Sequence, residues 1–124
     1  MAAIAKHRVV LLVDDDAIIR NLVRRNLEME GFCVLTAADA DEALALSRAC
    51  PDPIDVLLAD IEMPGMDGVT LAEQITVERT DTSVLLMSGG TKKAIPERMS
   101  FMSKPFSPAE LVAILTDVLE RRTK

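Results

Sequence analysis

Two acidic runs in this chain directly follow strongly apolar segments. The run from Asp14 to Asp16 follows the apolar residues 9–13, and Asp60 follows the apolar residues 56–59. Carboxylates that lie close together in a partly dry site repel one another, so ionising all of them is unfavourable. A hard divalent cation such as Mg²⁺ relieves this repulsion and prefers oxygen ligands. The two runs therefore form a candidate magnesium site if the fold brings them together.

Helix capping is a simpler explanation of the first run. A carboxylate at an N-cap accepts hydrogen bonds from the first backbone N–H groups of a helix. Capping accounts for one of the three aspartates, and Asp16 is the best placed because it directly precedes a predicted helix. Asp14 and Asp15 are then left for a metal or for catalysis.

The apolar segments have the composition of strands that are buried on both faces. They are continuous apolar runs, whereas a strand with one face in water alternates between apolar and polar residues. Helical stretches separate them, and five such units predict a doubly wound α/β domain: a five-stranded parallel sheet with helices on both faces. In such sheets ligands bind beyond the carboxyl ends of the strands, which is where both acidic runs fall.

The predicted elements run along the whole chain. Strands are predicted at residues 9–13, 32–36, 56–59, 83–87 and 99–103. Helices are predicted at residues 17–30, from Asp39 to the residues before Pro51, around residues 71–75 after an N-cap at Asp67, and from Ser107 to about Arg121. The pairs Asp39 with Glu42 and Ser107 with Glu110 have the spacing of a capping box, and Gly31 suits the end of the first helix.

The composition excludes several classes of function. The chain has 124 residues, 49% of them hydrophobic, so we expect one domain over residues 1–124 with an aliphatic core. Its net charge of −6 and its lack of Trp and Tyr oppose binding to nucleic acid. No apolar run approaches a membrane span or a signal peptide, so a cytoplasmic domain is expected. Cys33 and Cys50 follow no pattern and are expected to be small core residues.

Two further polar residues end predicted strands, Ser88 after strand four and Lys104 after strand five. With Asp60 they should converge on the edge of the sheet where Asp14 and Asp15 lie. A carboxylate beside a cation site, a hydroxyl and an ammonium group is suited to phosphoryl transfer onto an aspartate. The cations neutralise the phosphoryl oxygens, the hydroxyl donates a hydrogen bond, and the carboxylate is the nucleophile.

At these residues the chain resembles the receiver domain of two-component response regulators, of the chemotaxis-regulator type. The resemblance covers essentially the whole chain and rests on Val-Asp-Asp-Asp at 13–16, Asp-Ile-Glu-Met-Pro-Gly-Met-Asp-Gly at 60–68, Ser-Gly at 88–89 and Lys-Pro-Phe at 104–106. It implies that Asp60 accepts a phosphoryl group from a phosphohistidine on a histidine kinase or histidine phosphotransfer protein. It also implies that Asp15, Asp60 and the backbone carbonyl of Glu62 bind Mg²⁺ directly, with Asp14 binding through water.

The resemblance implies roles for the residues that end strands four and five. Ser88 and Gly89 would contact the phosphoryl group, and Lys104 would pair with Asp60 or its phosphate. Phe101 stands where the family has a switch aromatic that turns inward on activation. A downstream protein, whose identity the sequence leaves open, would respond to the change. The carboxylate of Glu62 adds negative charge beside the acceptor, with an effect on phosphorylation whose sign the sequence also leaves open.

One segment departs from the family. Residues 92–98 include Pro96 and allow at most about two helical turns, so the family's fourth helix is expected to be short, irregular or absent. That helix, strand five and the last helix form the family's usual dimerisation face. We therefore expect a monomer or a weak dimer.

Other interpretations of the same residues stay open. A phosphatase that forms an aspartyl-phosphate shares the nucleophile, and Glu62 lies two residues after it, but the chain has no cap domain for a substrate. A nucleotide-binding loop at residues 88–93 lacks the wider glycine spacing of a phosphate loop. The chain can also be a receiver module excised from a hybrid histidine kinase or a longer regulator.

Overall fold

A computed structural model of the chain describes residues 7–90 and 95–123. Its centre is a parallel sheet of five strands in the order β2-β1-β3-β4-β5. The strands are β1 Val9–Val13, β2 Cys33–Ala37, β3 Val56–Asp60, β4 Ser83–Ser88 and β5 Ser100–Ser103. The five predicted strands are therefore confirmed, with ends that shift by no more than about one residue, the usual uncertainty of such boundaries.

In the described residues three helices connect strands and a fourth follows β5. They are α1 Ala17–Met29, α2 Ala40–Ala49, α3 Gly68–Glu78 and α4 Pro108–Thr123. Between β4 and β5, residues 89–90 and 95–99 form no helix, which confirms a short or missing helix there as far as these residues go. The expectation for residues 92–94 lies outside the described residues. Within 7–90 and 95–123, no helix combines the length and the apolar character needed to cross a membrane.

The helix starts follow local sequence signals. Asp16 accepts hydrogen bonds from the backbone N–H groups of Ile18 and Ile19, which confirms it as an N-cap. Asp39 and Asp67 likewise cap α2 and α3. Ser107 and Glu110 exchange side chain-to-backbone hydrogen bonds at 3.0 and 2.8 Å, the reciprocal pattern of a capping box. These caps set the residue at which each helix begins, and so the length of the loops at the edge of the sheet.

The core lies on both faces of the sheet. Leu11 and Leu57 pack on the face covered by α2 and α3, whereas Leu12 and Leu58 pack on the face covered by α1 and α4. All five residues of β3 are buried, because this strand is central and has a layer of helices on either side. Continuous apolar strands are the consequence of burial on both faces.

The expectation that both cysteines are core residues is wrong. Cys33 is exposed because it begins β2, which is an edge strand of the sheet, and Cys50 is only half-buried after α2. Both thiols are free in the described structure. The burial of a cysteine depends on the order of the strands, which is not a local property of the sequence.

Candidate functional site

The pairing of β1 with β3 brings the two acidic runs together. Val13 pairs with Ala59, so Asp14 and Asp60 end neighbouring strands at the same edge of the sheet. One carboxylate oxygen from each of Asp14, Asp15 and Asp60 lies within 4.8 Å of the others. The predicted meeting of the two runs is therefore confirmed.

The three carboxylates differ sharply in burial. Asp14 is fully buried, Asp60 is 6% exposed, and Asp15 is exposed. Asp14 is also held in place, because its Oδ1 accepts a hydrogen bond from the backbone N–H of Asp16 at 2.9 Å. Its backbone carbonyl accepts one from the guanidinium of Arg20 at 2.7 Å. The cluster thus consists of one fixed acid, one buried acid at the end of β3 and one acid that faces solvent.

Lys104 supplies a positive charge to this cluster from the end of β5. Its Nζ lies 3.0 Å from Asp14 Oδ2 and 3.4 Å from Asp60 Oδ2. Its backbone N–H donates to the carbonyl of Ser88 at 2.8 Å, which extends the pairing of β4 with β5 and positions the side chain. The sequence predicts the pair with Asp60, while the shorter contact with Asp14 was missed. The Lys104–Pro105 peptide bond is cis.

The electrostatics of the cluster raise two pKa values. Burial raises the pKa of Asp60 above its ordinary value, and the charge of Asp14 adds to this, although Lys104 acts in the opposite direction. Burial alone would lower the pKa of Lys104, but its contacts with Asp14 and Asp60 outweigh burial and raise it. The charge of Lys104 therefore does not fully offset the effect of burial on the pKa of Asp60.

Ser88 occupies a hydrogen-bonded position that sequence reasoning missed. Its hydroxyl is buried and donates to Glu62 Oε2 at 2.6 Å, and it accepts the backbone N–H of Gly90 at 3.2 Å. The backbone N–H of Glu62 in turn donates to Asp60 Oδ1 at 3.3 Å. Glu62 therefore connects the acid at the end of β3 with the hydroxyl at the end of β4. The spacing of Glu62 two residues after Asp60 is the only sequence signal for this contact.

The remaining predicted residues surround the cluster at different depths. Gly89 is exposed, and a Cβ atom built on it would lie 3.6 Å from Lys104 Cβ, so the loop after β4 passes beside the lysine side chain. Phe101 lies in β5 and is half-buried against the core that α2 and α3 cover.

Gly68 closes the loop that follows β3. Its backbone N–H donates to the carbonyl of Ile61 at 3.0 Å, and a Cβ atom built on it would overlap the backbone carbonyl of Asp60. Glycine is therefore required here for the close approach of two backbone segments. This contact fixes the peptide that carries Asp60 against the start of α3.

The carboxylates fit a magnesium ion by their chemistry. Three acidic oxygens close together, two of them on buried residues, are the hard donor set that such a cation prefers. The positive charge of a divalent ion would also favour the ionised form of Asp60, whose pKa is raised by burial. The side chains at this edge of the sheet are thus suited to binding a cation and a phosphoryl group together.

Comparison with known proteins identifies the family of this fold and site. A family model described as the response regulator receiver domain matches residues 10–116. The chain belongs to this receiver domain family. The resemblance to receiver domains noted from the sequence is therefore confirmed, together with the parallel five-stranded fold.

The proteins to which this chain is similar differ in kind: they include a transcriptional regulatory protein, a chemotaxis protein and a hybrid histidine kinase. The chain is 33% identical to the transcriptional regulatory protein AruR of Pseudomonas aeruginosa over 123 residues, covering 90% of this chain and 49% of the relative. The structure of chemotaxis protein CheY4 of Vibrio cholerae is 31% identical with a TM-score of 0.81, covering 91% and 99% of the two chains. The receiver domain of the hybrid histidine kinase CckA is also 31% identical, with a TM-score of 0.81 and coverage of 90% and 98%. The chain spans about half the length of AruR but nearly all of the CheY4 chain.

Proposed function

We propose that this receiver domain is the phosphoacceptor of a two-component phosphorelay and that Asp60 takes the phosphoryl group. The observation that supports it is the position of Asp60, a buried acid at the end of β3 between Asp14, Asp15 and Lys104. Asp15 and Asp14 come from a neighbouring strand end, so Asp60 is the acid placed opposite them. Residues 1–124 form a single receiver domain in this proposal.

The proposed reaction moves a phosphoryl group from nitrogen to oxygen. An Asp60 carboxylate oxygen attacks the phosphorus of a phosphohistidine on a histidine kinase or histidine phosphotransfer protein. The new O–P bond forms as the N–P bond breaks, and the bonding electron pair returns to the imidazole nitrogen. The products are an aspartyl-phosphate and a free histidine side chain. Later attack by water on the phosphorus restores the carboxylate and releases inorganic phosphate.

The chain's own groups bind and orient the transferred phosphoryl group. Asp15, Asp60 and the backbone carbonyl of Glu62 would hold Mg²⁺, with Asp14 acting through water, and the ion would neutralise charge on the phosphoryl oxygens. Lys104 Nζ, which lies 3.4 Å from Asp60 Oδ2, neutralises a second side of the group. Ser88 and Gly89 contact the phosphoryl group from the end of β4.

A change at the end of β4 is what a downstream protein detects. Phe101 in the neighbouring strand β5 turns inward when Ser88 moves towards the phosphate. The segment of residues 92–98 is short and contains Pro96, so we expect a monomer or a weak dimer. The phosphatase alternative is weaker, since the relative AruR is named as a transcriptional regulatory protein.

Labelling with a small phosphodonor tests the acceptor. With acetyl phosphate and Mg²⁺, wild type should gain the mass of one phosphoryl group and Asp60→Asn should gain none, because its amide is not a nucleophile. Asp117→Asn is the matched control, since Asp117 is an exposed aspartate on α4, and it should be labelled like wild type. Labelling of Asp60→Asn would remove Asp60 from the acceptor role. Turnover of a general phosphatase substrate by wild type would favour the phosphatase instead.

A further inference from the structure

The hydroxyl of Ser88 already makes two hydrogen bonds in the described structure. Ser88 is 2% exposed, and its hydroxyl donates to Glu62 Oε2 at 2.6 Å while the hydroxyl oxygen accepts the N–H of Gly90 at 3.2 Å. A serine hydroxyl carries one proton, so it can donate to one strong acceptor at a time. The same proton therefore cannot be given to a phosphoryl oxygen on Asp60 while the bond to Glu62 is intact.

The carboxylate of Glu62 competes strongly with a phosphoryl oxygen for the hydrogen bond that the Ser88 hydroxyl donates. A hydrogen bond to a carboxylate is shorter and stronger than one between neutral groups, and 2.6 Å lies in the range of such bonds. The same carboxylate packs beside the loop after β4, because a Cβ atom built on Gly90 would lie 3.7 Å from Glu62 Oε2. Glu62 thus ties the loop after β3 to the loop after β4 through one side chain.

We propose that Glu62 is a latch: its carboxylate holds the Ser88 hydroxyl in the unphosphorylated protein and gives it up when a phosphoryl group is bound to Asp60. This rests on the proposed function and adds a positioning residue to it. Phosphorylation breaks the Ser88–Glu62 bond and replaces it with a bond from Ser88 to a phosphoryl oxygen. The free energy of that exchange sets how much of the phosphorylated protein reaches the activated conformation.

The latch differs from simple charge repulsion between Glu62 and the phosphate. Repulsion depends on the charge of residue 62 and acts whether or not Ser88 is present. The latch depends on the hydroxyl, so its effect disappears when Ser88 is replaced. The two effects are therefore separated by a double-mutant cycle.

Beryllofluoride, which takes the place of the phosphoryl group on an aspartate, is the probe for this cycle. Its affinity is measured by titration calorimetry at saturating Mg²⁺, so that changes in metal affinity do not enter. Glu62→Ala should bind the probe about tenfold more tightly than wild type, since a hydrogen bond to a charged group no longer has to be broken. Glu62→Gln, whose amide oxygen still accepts a weaker hydrogen bond, should gain about threefold.

The Ser88→Ala background decides between the mechanisms. There Glu62→Ala should leave the affinity for beryllofluoride within about twofold, because no hydroxyl remains to be held. The gain in affinity caused by Glu62→Ala is compared between the wild-type and the Ser88→Ala backgrounds. A gain that is at least about threefold larger in the wild-type background supports the latch, and a smaller ratio of the two gains overturns it. Far-UV circular dichroism checks that the variants are folded; the side chain of Glu62 is exposed, so its removal leaves no core cavity.

The proposed function is tested separately in the same titration. Wild type should bind beryllofluoride and Asp60→Asn should not. If wild type fails to bind the probe, the phosphoacceptor proposal falls and the latch falls with it. If wild type binds and the cycle shows no coupling, the latch alone is wrong.

Discussion

The two ends of the central strand β3 each have a buried aspartate, and the surroundings of these two acids are opposite in character. Asp55 precedes the strand and Asp60 ends it, with exposures of 9% and 6%. The two residues are buried to a similar extent. What differs is the set of donors that each carboxylate receives, and that difference separates an acid that holds the fold together from an acid that is available for chemistry.

Asp55 is surrounded by donors at the amino end of the sheet. Its Oδ2 accepts the backbone N–H of Val9 at 2.7 Å, and its Oδ1 lies 3.4 Å from the guanidinium of Arg8. Its own backbone groups bond to Val9 and Ser83, so it joins three neighbouring strands where they begin. A buried carboxylate with this many partners stabilises the folded state.

The carboxylate of Asp60 has a more distant backbone donor than that of Asp55, at 3.3 Å against 2.7 Å. Its donors among the described residues are the backbone N–H of Glu62 at 3.3 Å and the ammonium of Lys104 at 3.4 Å, which lies closer to Asp14. Its pKa is raised by burial and by Asp14, so its ionised form lowers the stability of the metal-free protein. At the carboxyl end of the sheet, the ionised carboxylate of Asp60 thus destabilises the metal-free protein, but the same group can bind a cation and react.

Removal of Asp55 should have the largest effect on stability. Asp55→Ala leaves the N–H of Val9 and the guanidinium of Arg8 without this acceptor, and we expect the free energy of unfolding to fall by about 3 kcal/mol. Urea denaturation followed by circular dichroism measures the change. Asp52→Ala, three residues earlier and exposed, is the control and should change the free energy by less than about 0.5 kcal/mol. Equal losses in both variants would contradict the role given to Asp55.

At the other end of β3, the substitution Asp60→Asn should raise the free energy of unfolding, whereas Asp55→Ala should lower it. Asp60→Asn removes a carboxylate whose ionised form is unfavourable, so in metal-free buffer the free energy of unfolding should rise by about 1 kcal/mol. Mg²⁺ should stabilise wild type more than this variant, because the variant lacks one ligand charge. A loss of stability without metal would show that the pair with Lys104 outweighs the combined cost of burial and repulsion from Asp14.

The smallest change in stability is expected at the solvent-facing acid of the cluster. Asp15→Ala should leave the free energy of unfolding of the metal-free protein level or raise it by up to about 0.5 kcal/mol, since it relieves repulsion and buries nothing. It should weaken Mg²⁺ binding at least about tenfold, measured by calorimetry. The adjacent Asp16→Ala provides the contrast: it removes the α1 cap and should cost about 1 kcal/mol while leaving Mg²⁺ affinity unchanged. Unchanged Mg²⁺ affinity in Asp15→Ala would exclude this cluster as the metal site.

Much of the fold and of the cluster could be predicted because the signals are local. Apolar runs identify the strands, cap residues identify the helix starts, and the carboxyl ends of parallel strands share one edge. These local signals are enough to predict that the side chains of four residues lie together: Asp14, Asp15, Asp60 and Lys104.

The contacts that could not be predicted depend on distances between side chains on different loops. The bond from Ser88 to Glu62 and the shorter approach of Lys104 to Asp14 require the relative positions of strand ends to about an ångström. The exposure of Cys33 requires the order of the strands, and the role of Asp55 requires the register of three of them. Spacing in the sequence does not contain this information.

The close approach at Gly68 has a consequence for mutational screens of this domain. Gly68 has no side chain to react with a phosphate, yet any other residue there would push the Asp60 backbone away from its position. A screen that scores phosphorylation would therefore group Gly68 with the acids, although it offers no functional group. Its intolerance would come from the steric requirement of one peptide carbonyl, and a map of inactive alleles would overstate the number of chemical participants by including it.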